Sequence, residues 1–232
     1  MTSLLAECAP EWAICLDAEK GFRSWLVAPP KPGGSPNTAL HLLIETEGGY
    51  LLVSEMRKGS RLPMHCPELH IMSDGTFCLA RRAYAADSAQ EVRAFWQDLG
   101  EFCLNVDFAV RRGRWPIGRW ISHGAEAADL QARAETLAAE LDVGEAYLDC
   151  VENQTGWLAA IVGSDGGRIP IDFTCPVCVD RRCGHLPRIK KLVRTERARR
   201  AAERAYFDAL KRRGKTCCGM MPNCQLNRKE AA

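Results

Sequence analysis

Residues 69–79 read L-H-I-M-S-D-G-T-F-C-L and follow two prolines, Pro63 and Pro67. This stretch constrains the chain more than any other. Leu69, Ile71 and Met72 can start a short strand, but they run straight into the turn cluster Ser73-Asp74-Gly75-Thr76. The chain must double back there, and Cys78 stands at the turn's exit. A thiol on backbone held by a turn is a candidate nucleophile, because cysteine attacks as the thiolate and is the most nucleophilic ordinary side chain near neutral pH. The plain alternative is a cysteine filling a small gap in the core, the usual fate of a free thiol.

The flanking sequence predicts a helix and then a meander. Leu4, Leu5, Cys8, Trp12, Cys15 and Leu16 fall at helical spacing, so an amphipathic helix is expected over residues 4–16, with Pro10 allowing a break and both cysteines in the core. Residues 22–27 can form a strand, and residues 29–36 are a proline- and glycine-rich loop. The apolar runs 40–44 and 50–53, joined by Glu45-Thr46-Glu47-Gly48-Gly49, are an antiparallel hairpin signal. His41, inside a strand, reads as a structural histidine.

Further on, Ser88-Ala89-Gln90-Glu91 is a capping box, with Val92, Phe95, Trp96, Leu99, Phe102, Cys103 and Val106 on one helical face. Cys103 on that face reads as core. Residues 115–124 are irregular and aromatic; they either pack Trp115 and Trp120 over the helix or bring His123 to Cys78 for proton chemistry. Leu130, Ala134, Leu137 and Leu141 mark another helix, stopped near Gly144. Residues 157–162 and 168–173, around Ser164-Asp165-Gly166-Gly167, predict a second hairpin.

Charge divides the chain. From Arg181 onward there are 16 Lys and Arg against 4 Asp and Glu, a balance of +12, which leaves the first 180 residues with 15 against 25, a balance of −10. An acidic body and a basic tail point to two functional units, expected as 1–143 and 144–232. The 47% hydrophobic content and 26% charge are ordinary for a soluble protein, and no apolar run approaches the roughly 18 residues of a membrane span. No secretory leader is evident, so a cytoplasmic protein is expected.

The cysteines divide in the same way. Of twelve, Cys175, Cys178, Cys183, Cys217, Cys218 and Cys224 crowd the end in paired spacings. Without a secretory signal this pattern reads as metal binding before disulfides. Cys175-Pro176-Val177-Cys178 is a C-x2-C knuckle, and zinc commonly takes two ligands from each of two knuckles. Cys175, Cys178, Cys218 and Cys224 are the favoured structural zinc site, with Cys183, His185 and Cys217 as substitutes or members of a second. Residues 186–213, between the two groups, read as a long basic helix anchored by Ile189, Leu192, Val193, Tyr206 and Leu210. With little aromatic interleaving, its charge reads as a solvated face or a dock for an acidic protein, and nucleic acid is not expected. A site of Cys66, His70 and Cys78 is a third metal possibility, lacking a fourth ligand and knuckle spacing.

The central segment resembles the active-site segment of ubiquitin-conjugating enzymes, where a His-Pro-Asn-aliphatic run precedes a Gly-x-aromatic/aliphatic-Cys-Leu run. Here Gly75-Thr76-Phe77-Cys78-Leu79 matches the second run, Ile71 takes the aliphatic position and His70 falls at the family's Asn. It is most similar to the divergent bacterial proteins of that kind found in anti-phage operons, which often carry a His there. Leu69 and Glu68 replace the family's Pro and His, and Ala80 replaces the acid that often follows Cys-Leu.

The resemblance spans about residues 20–125. It implies an α+β ubiquitin-conjugating-like fold, an antiparallel meander sheet with flanking helices, to which the residues above add a small C-terminal zinc-binding module with a long basic helix. It also implies that Cys78 accepts a ubiquitin-like protein as a thioester from an activating enzyme and passes it to a protein target in a bacterial defence pathway, with His70 as oxyanion donor. The alternative is an inactive conjugating-like fold serving as a zinc-dependent protein or nucleic-acid interaction module.

Overall fold

The computed structural model describes residues 4–19, 22–79, 82–119, 121–164, 167–170, 173–178, 184–222 and 224–227. The chain divides into two compact units, Met1–Pro116 with Thr216–Ala232, and Ile117–Lys215. This division falls elsewhere than the expected 143/144 junction, and the first unit takes up the C-terminal segment.

In the first unit a short helix α1 (Leu4–Glu7) leads into four strands: β1 (Ala13–Glu19), β2 (Phe22–Val27), β3 (Leu40–Glu47) and β4 (Tyr50–Glu55). They form an antiparallel sheet in sequence order, the expected meander with one strand more. The predicted helix over residues 4–16 is therefore wrong beyond its first turn. Pro10 ends it, and residues 13–19 pair with β2 instead, leaving Cys15 exposed. The β3–β4 connection is Gly48-Gly49, both at positive φ, where a side chain would be strained.

Trp25, Val27, Leu40, Leu42, Ile44, Leu51 and Val53 face the core, against helix α2 (Ala89–Arg112). Ser88 caps α2 by accepting the Glu91 N–H at 3.3 Å. The Glu91 carboxylate turns to Arg82 instead of closing the capping box. Every residue of the predicted face is buried, Cys103 among them. Trp96 stacks edge-on against Trp25 at 4.9 Å and donates its indole N–H to the Leu5 carbonyl, fixing α1.

The second unit holds α3 (Ala125–Glu140), α4 (Gly144–Leu148) with a wider turn at Asp149–Asn153, α5 (Gly156–Gly163) and α6 (Leu186–Arg212). The predicted second hairpin is absent among the described residues: its first half is α5, and residues 168–170 and 173 form no strand. An apolar run of that length cannot be told from a buried helix by periodicity, and packing decided for helix. Leu158, Ile161 and Val162 join Leu137, Leu141, Ile189, Leu192 and Val193 in one core. None of the described helices is long and apolar enough to cross a membrane.

Candidate functional site

The predicted strand at residues 69–72 is a tight loop instead. Pro67–Leu69 make one 3-10 turn, and His70 follows at φ 55°, ψ 37°, in the left-handed region. Its N–H donates to the Pro67 carbonyl at 2.7 Å, and Cys66 and Ile71 exchange two backbone hydrogen bonds across the turn, 3.0 and 3.1 Å. Two prolines and a left-handed residue leave no room for a regular strand.

The expected reversal then follows. The Met72 N–H donates to the Thr76 carbonyl at 2.8 Å, the Gly75 N–H to the Met72 carbonyl, and Gly75 sits at φ 92°. Asp74 locks the turn by accepting the Thr76 N–H at 2.9 Å and the Thr76 hydroxyl at 2.7 Å. Burial raises the Asp74 carboxyl, but these hydrogen bonds outweigh it and hold it below the usual range. At the exit the Phe77 N–H reaches the Val53 carbonyl on β4, and the Cys78 N–H donates to the His70 carbonyl at 2.8 Å. His70 and Cys78 are thus brought together through the main chain.

Cys78 is half-buried, whereas Cys66, Cys103 and Cys150 are buried. Burial pushes the Cys78 thiol up and the Cys103 thiol up to about 12. His70 is itself 6% exposed and lies edge-on to Trp115 at 5.1 Å. Trp115 donates its indole N–H to the Glu68 carbonyl and borders Phe102, which stacks on Phe77 at 4.7 Å. The irregular segment after α2 therefore packs Trp115 over the helix, as one of its two readings had it; Trp120 lies outside the described residues.

His123 belongs to the second unit. Its Nδ1 lies 3.0 Å from Glu203 Oε1, which also accepts the His123 backbone N–H, and its ring meets Phe207 edge-on at 5.1 Å. Glu203 shares the buried Arg199 with Glu196, and Arg199 also donates to the Ser122 hydroxyl. His41, as expected, is structural, with Nε2 2.6 Å from the Ser24 hydroxyl.

Of the proposed metal ligands, Cys175, Cys178 and His185 lie in the second unit, Cys217, Cys218 and Cys224 in the first, and Cys183 outside the described residues. The favoured set of Cys175, Cys178, Cys218 and Cys224 thus draws on both units. Among the described residues no three His, Cys, Asp or Glu side chains stand ready around a common point, Cys66, His70 and Cys78 included. The C-terminal segment nevertheless gathers thiols. Burial first, and then the Cys218 and Cys224 thiols, push the Cys66 thiol up. Burial, then the Cys217 thiol, pushes Cys224 up to about 12, although the Leu226 backbone N–H works the other way. The proximity of Cys66 to these tail cysteines carried no signal in the sequence, because no spacing rule connects residues so far apart in the chain.

Residues 27–117 match a family described as the prokaryotic E2 domain, E2 being the ubiquitin-conjugating class. Residues 122–226 match a family described as a cysteine-rich domain C-terminal to the E2 domain. The two matches, adjoining and in that order, support a bacterial E2-like family and an E2-like conjugating role. Neither a curated protein nor a solved structure matches the chain.

Proposed function

We propose that the chain is a ubiquitin-conjugating-like acyl transferase that carries a ubiquitin-like protein as a thioester on Cys78 and transfers it to a nucleophile on a protein target, in a bacterial defence pathway. The observation that carries this reading is the placement of Cys78: half-buried, at the exit of a locked turn, with its N–H on the His70 carbonyl.

In loading, the Cys78 thiol gives up its proton to solvent and the thiolate attacks the carbonyl of the thioester presented by an activating enzyme. A tetrahedral oxyanion forms, the C–S bond to the activating enzyme breaks, and its thiolate leaves. In discharge an acceptor amine attacks the new thioester, Cys78 leaves as the thiolate and the amine gives up its proton. Both steps pass through an oxyanion, and losing one fixed donor to such a charge costs about 100-fold or more. His70, held beside Cys78, is the assigned donor, since a neutral imidazole offers one N–H. A groove of about 550 Å³ lined by Met56, Arg57, Met64, Gly75 and Phe77 runs beside the turn and suits an extended chain end. His123 is assigned to holding α6 through Glu203 and not to proton transfer.

The cysteine-rich part is read as holding structural zinc, whose chemistry when bound is to cross-link thiolates. The ligands are drawn from Cys175, Cys178, Cys183, His185, Cys217, Cys218 and Cys224.

One observation favours the interaction-module alternative: burial pushes the Cys78 thiol up, where reactive cysteines usually have theirs depressed. Intact-mass spectrometry after incubation with ATP, a cognate activating enzyme and a ubiquitin-like protein separates the two. A reductant-sensitive adduct, lost in Cys78→Ala and kept in Cys103→Ser, is expected of the carrier. Absence of the adduct from a folded, zinc-loaded chain would move the assignment to the interaction module.

A further inference from the structure

Residues 216–227 contain neither helix nor strand among those described, yet Met221 and Cys224 are buried, at 6% and 1% exposure. Turns of its own shape the end of this segment: the Cys224 N–H donates to the Met221 carbonyl at 3.2 Å, and the Asn227 N–H to the Cys224 carbonyl at 2.9 Å. So shaped, it meets the rest of the first unit at Gly113 and at Glu68. Pro222 lies so close to Gly113, the left-handed cap of α2, that a Cβ there would meet its ring at 3.0 Å. The Gln225 N–H donates to the Glu68 carboxylate at 3.1 Å.

Both contacts bear on Trp115. Gly113 stands just before it in the chain, and Glu68 accepts its indole N–H on the backbone carbonyl. Glu68 is thus held twice, by its carbonyl from the chain after α2 and by its carboxylate from the C-terminal segment. A hydrogen bond to a carboxylate is stronger than one between neutral groups. Glu68 is also the middle residue of the 3-10 turn that sets His70. The His70 N–H closes that turn on the Pro67 carbonyl, the His70 ring lies edge-on to Trp115 at 5.1 Å, and the His70 carbonyl accepts the Cys78 N–H.

We infer that the C-terminal segment is a positioning strap for His70, acting through the Glu68 carboxylate, with Glu68 and Trp115 as positioning residues. The inference rests on the proposed thioester at Cys78 with His70 as its oxyanion donor, and adds groups that act by fixing that donor. A left-handed backbone outside glycine persists where its surroundings over-determine it, and the two holds on Glu68 are part of that constraint. A donor fixed before the reaction needs no reordering as the oxyanion forms.

The test uses the full-length protein and its variants Glu68→Ala, which removes the acceptor, Glu68→Gln, which keeps an acceptor oxygen, Trp115→Phe, which removes the indole N–H and keeps a ring, and His70→Ala. Single-turnover discharge of the Cys78 thioester is followed against the concentration of an acceptor amine. Glu68→Ala and Trp115→Phe should each lower the rate at saturating acceptor by about tenfold or more, with the half-saturating concentration unchanged. Glu68→Gln should recover most of that loss. Combined with His70→Ala, Glu68→Ala should cost nothing further, because a residue that acts through His70 then has nothing left to position. Full additivity in the double variant, or wild-type discharge in both Glu68→Ala and Trp115→Phe, would overturn the strap.

Hydrogen exchange reads the same contacts without any thioester. In Glu68→Ala the amides of His70, Cys78 and Gln225 should exchange about tenfold faster or more, while those within α2 keep wild-type protection. Unchanged protection at His70 and Cys78 would overturn the strap even where the thioester forms. Faster exchange in a chain that forms no thioester would uphold the hold on His70 and overturn the acyl-transfer reading alone.

Discussion

His70 is the residue at which sequence and backbone meet most directly. A left-handed φ of 55° is costly for most side chains, but Asn, Asp and His tolerate it better than others. If, as the resemblance implies, His70 stands at the family's Asn, backbone and chemistry make the same demand there. His70→Asn should keep both, and single-turnover discharge of the thioester should stay within a few-fold of the wild type. His70→Ala should lose about 100-fold or more through the missing donor. Equal rates for the two variants would remove His70 from the oxyanion assignment. At Cys78 the sign of the proton equilibrium gives a second prediction. Burial favours the neutral thiol, so at pH 7 less thiolate is present than in an unfolded cysteine of pKa about 8.5. Alkylation of Cys78, followed by mass spectrometry, should still be accelerating above about pH 9, where a free thiol levels off. A profile that flattens below that of a free cysteine would show that the site activates the thiol. Cys78 could be singled out from sequence because turn chemistry is local. The left-handed state of His70 could not, since it depends on Cys66 and Ile71 closing around it.

Elements whose burial follows one period were legible, and those whose partner chose their form were not. The α2 face reads directly from Val92 to Val106, and the hairpin from its paired glycines. Residues 13–19 and 156–163 each carry enough apolar residues to satisfy either form; the first became a strand because β2 offered an edge, the second a helix because α6 offered a face. The charge of α6 serves two ends. Arg199 is buried between Glu196 and Glu203, Arg197 donates to the carbonyls of Val162 and Ser164, and Arg200 reaches Glu196 and the Cys150 carbonyl. These three arginines are thus tied into the structure, whereas Arg188, Lys190, Lys191, Arg194, Arg204 and Arg212 are exposed and form the expected solvated face. For Glu203, burial raises the carboxyl, but the hydrogen bond and charge of His123 and then Arg199 outweigh it and hold it below the ordinary value. Its stabilising contribution is therefore complete above the unfolded value of about 4.3 and is lost as pH falls through the lower folded value. Thermal melts from pH 7 to pH 3 should show the wild type losing stability on acidification more steeply than Glu203→Gln, and parallel curves would deny the linkage. At neutral pH Glu203→Ala strands Arg199 without one of its two carboxylates, at a cost of about 3–5 kcal/mol.

For the whole molecule, the consequential fact is chain order: residues 117–215 form a compact unit inserted between two segments of the other. The charge division had suggested a body followed by a tail. The discontinuity was not legible, because contacts such as Gln225 with Glu68 and Pro222 with Gly113 join residues far apart in the chain. An insertion makes the C-terminal contacts depend on the inserted unit. While that unit is folded its chain ends are fixed; when it unfolds, the same ends are joined by a flexible loop of about 100 residues, whose closure entropy opposes the contacts. Leu192, fully buried in the core of the second unit, is the place to test this. Leu192→Ala should cost about 2–5 kcal/mol, by lost transfer energy and the cavity left behind. Hydrogen exchange should then show faster amides in α3, α5 and α6 and, with them, in residues 216–227, while β2, β3 and β4 keep wild-type protection. Calorimetry should resolve the weakened unit as an earlier transition. A single transition moved as a whole, with β3 and α6 exchanging together, would mean that the two compact units unfold as one and that the insertion has no thermodynamic identity of its own.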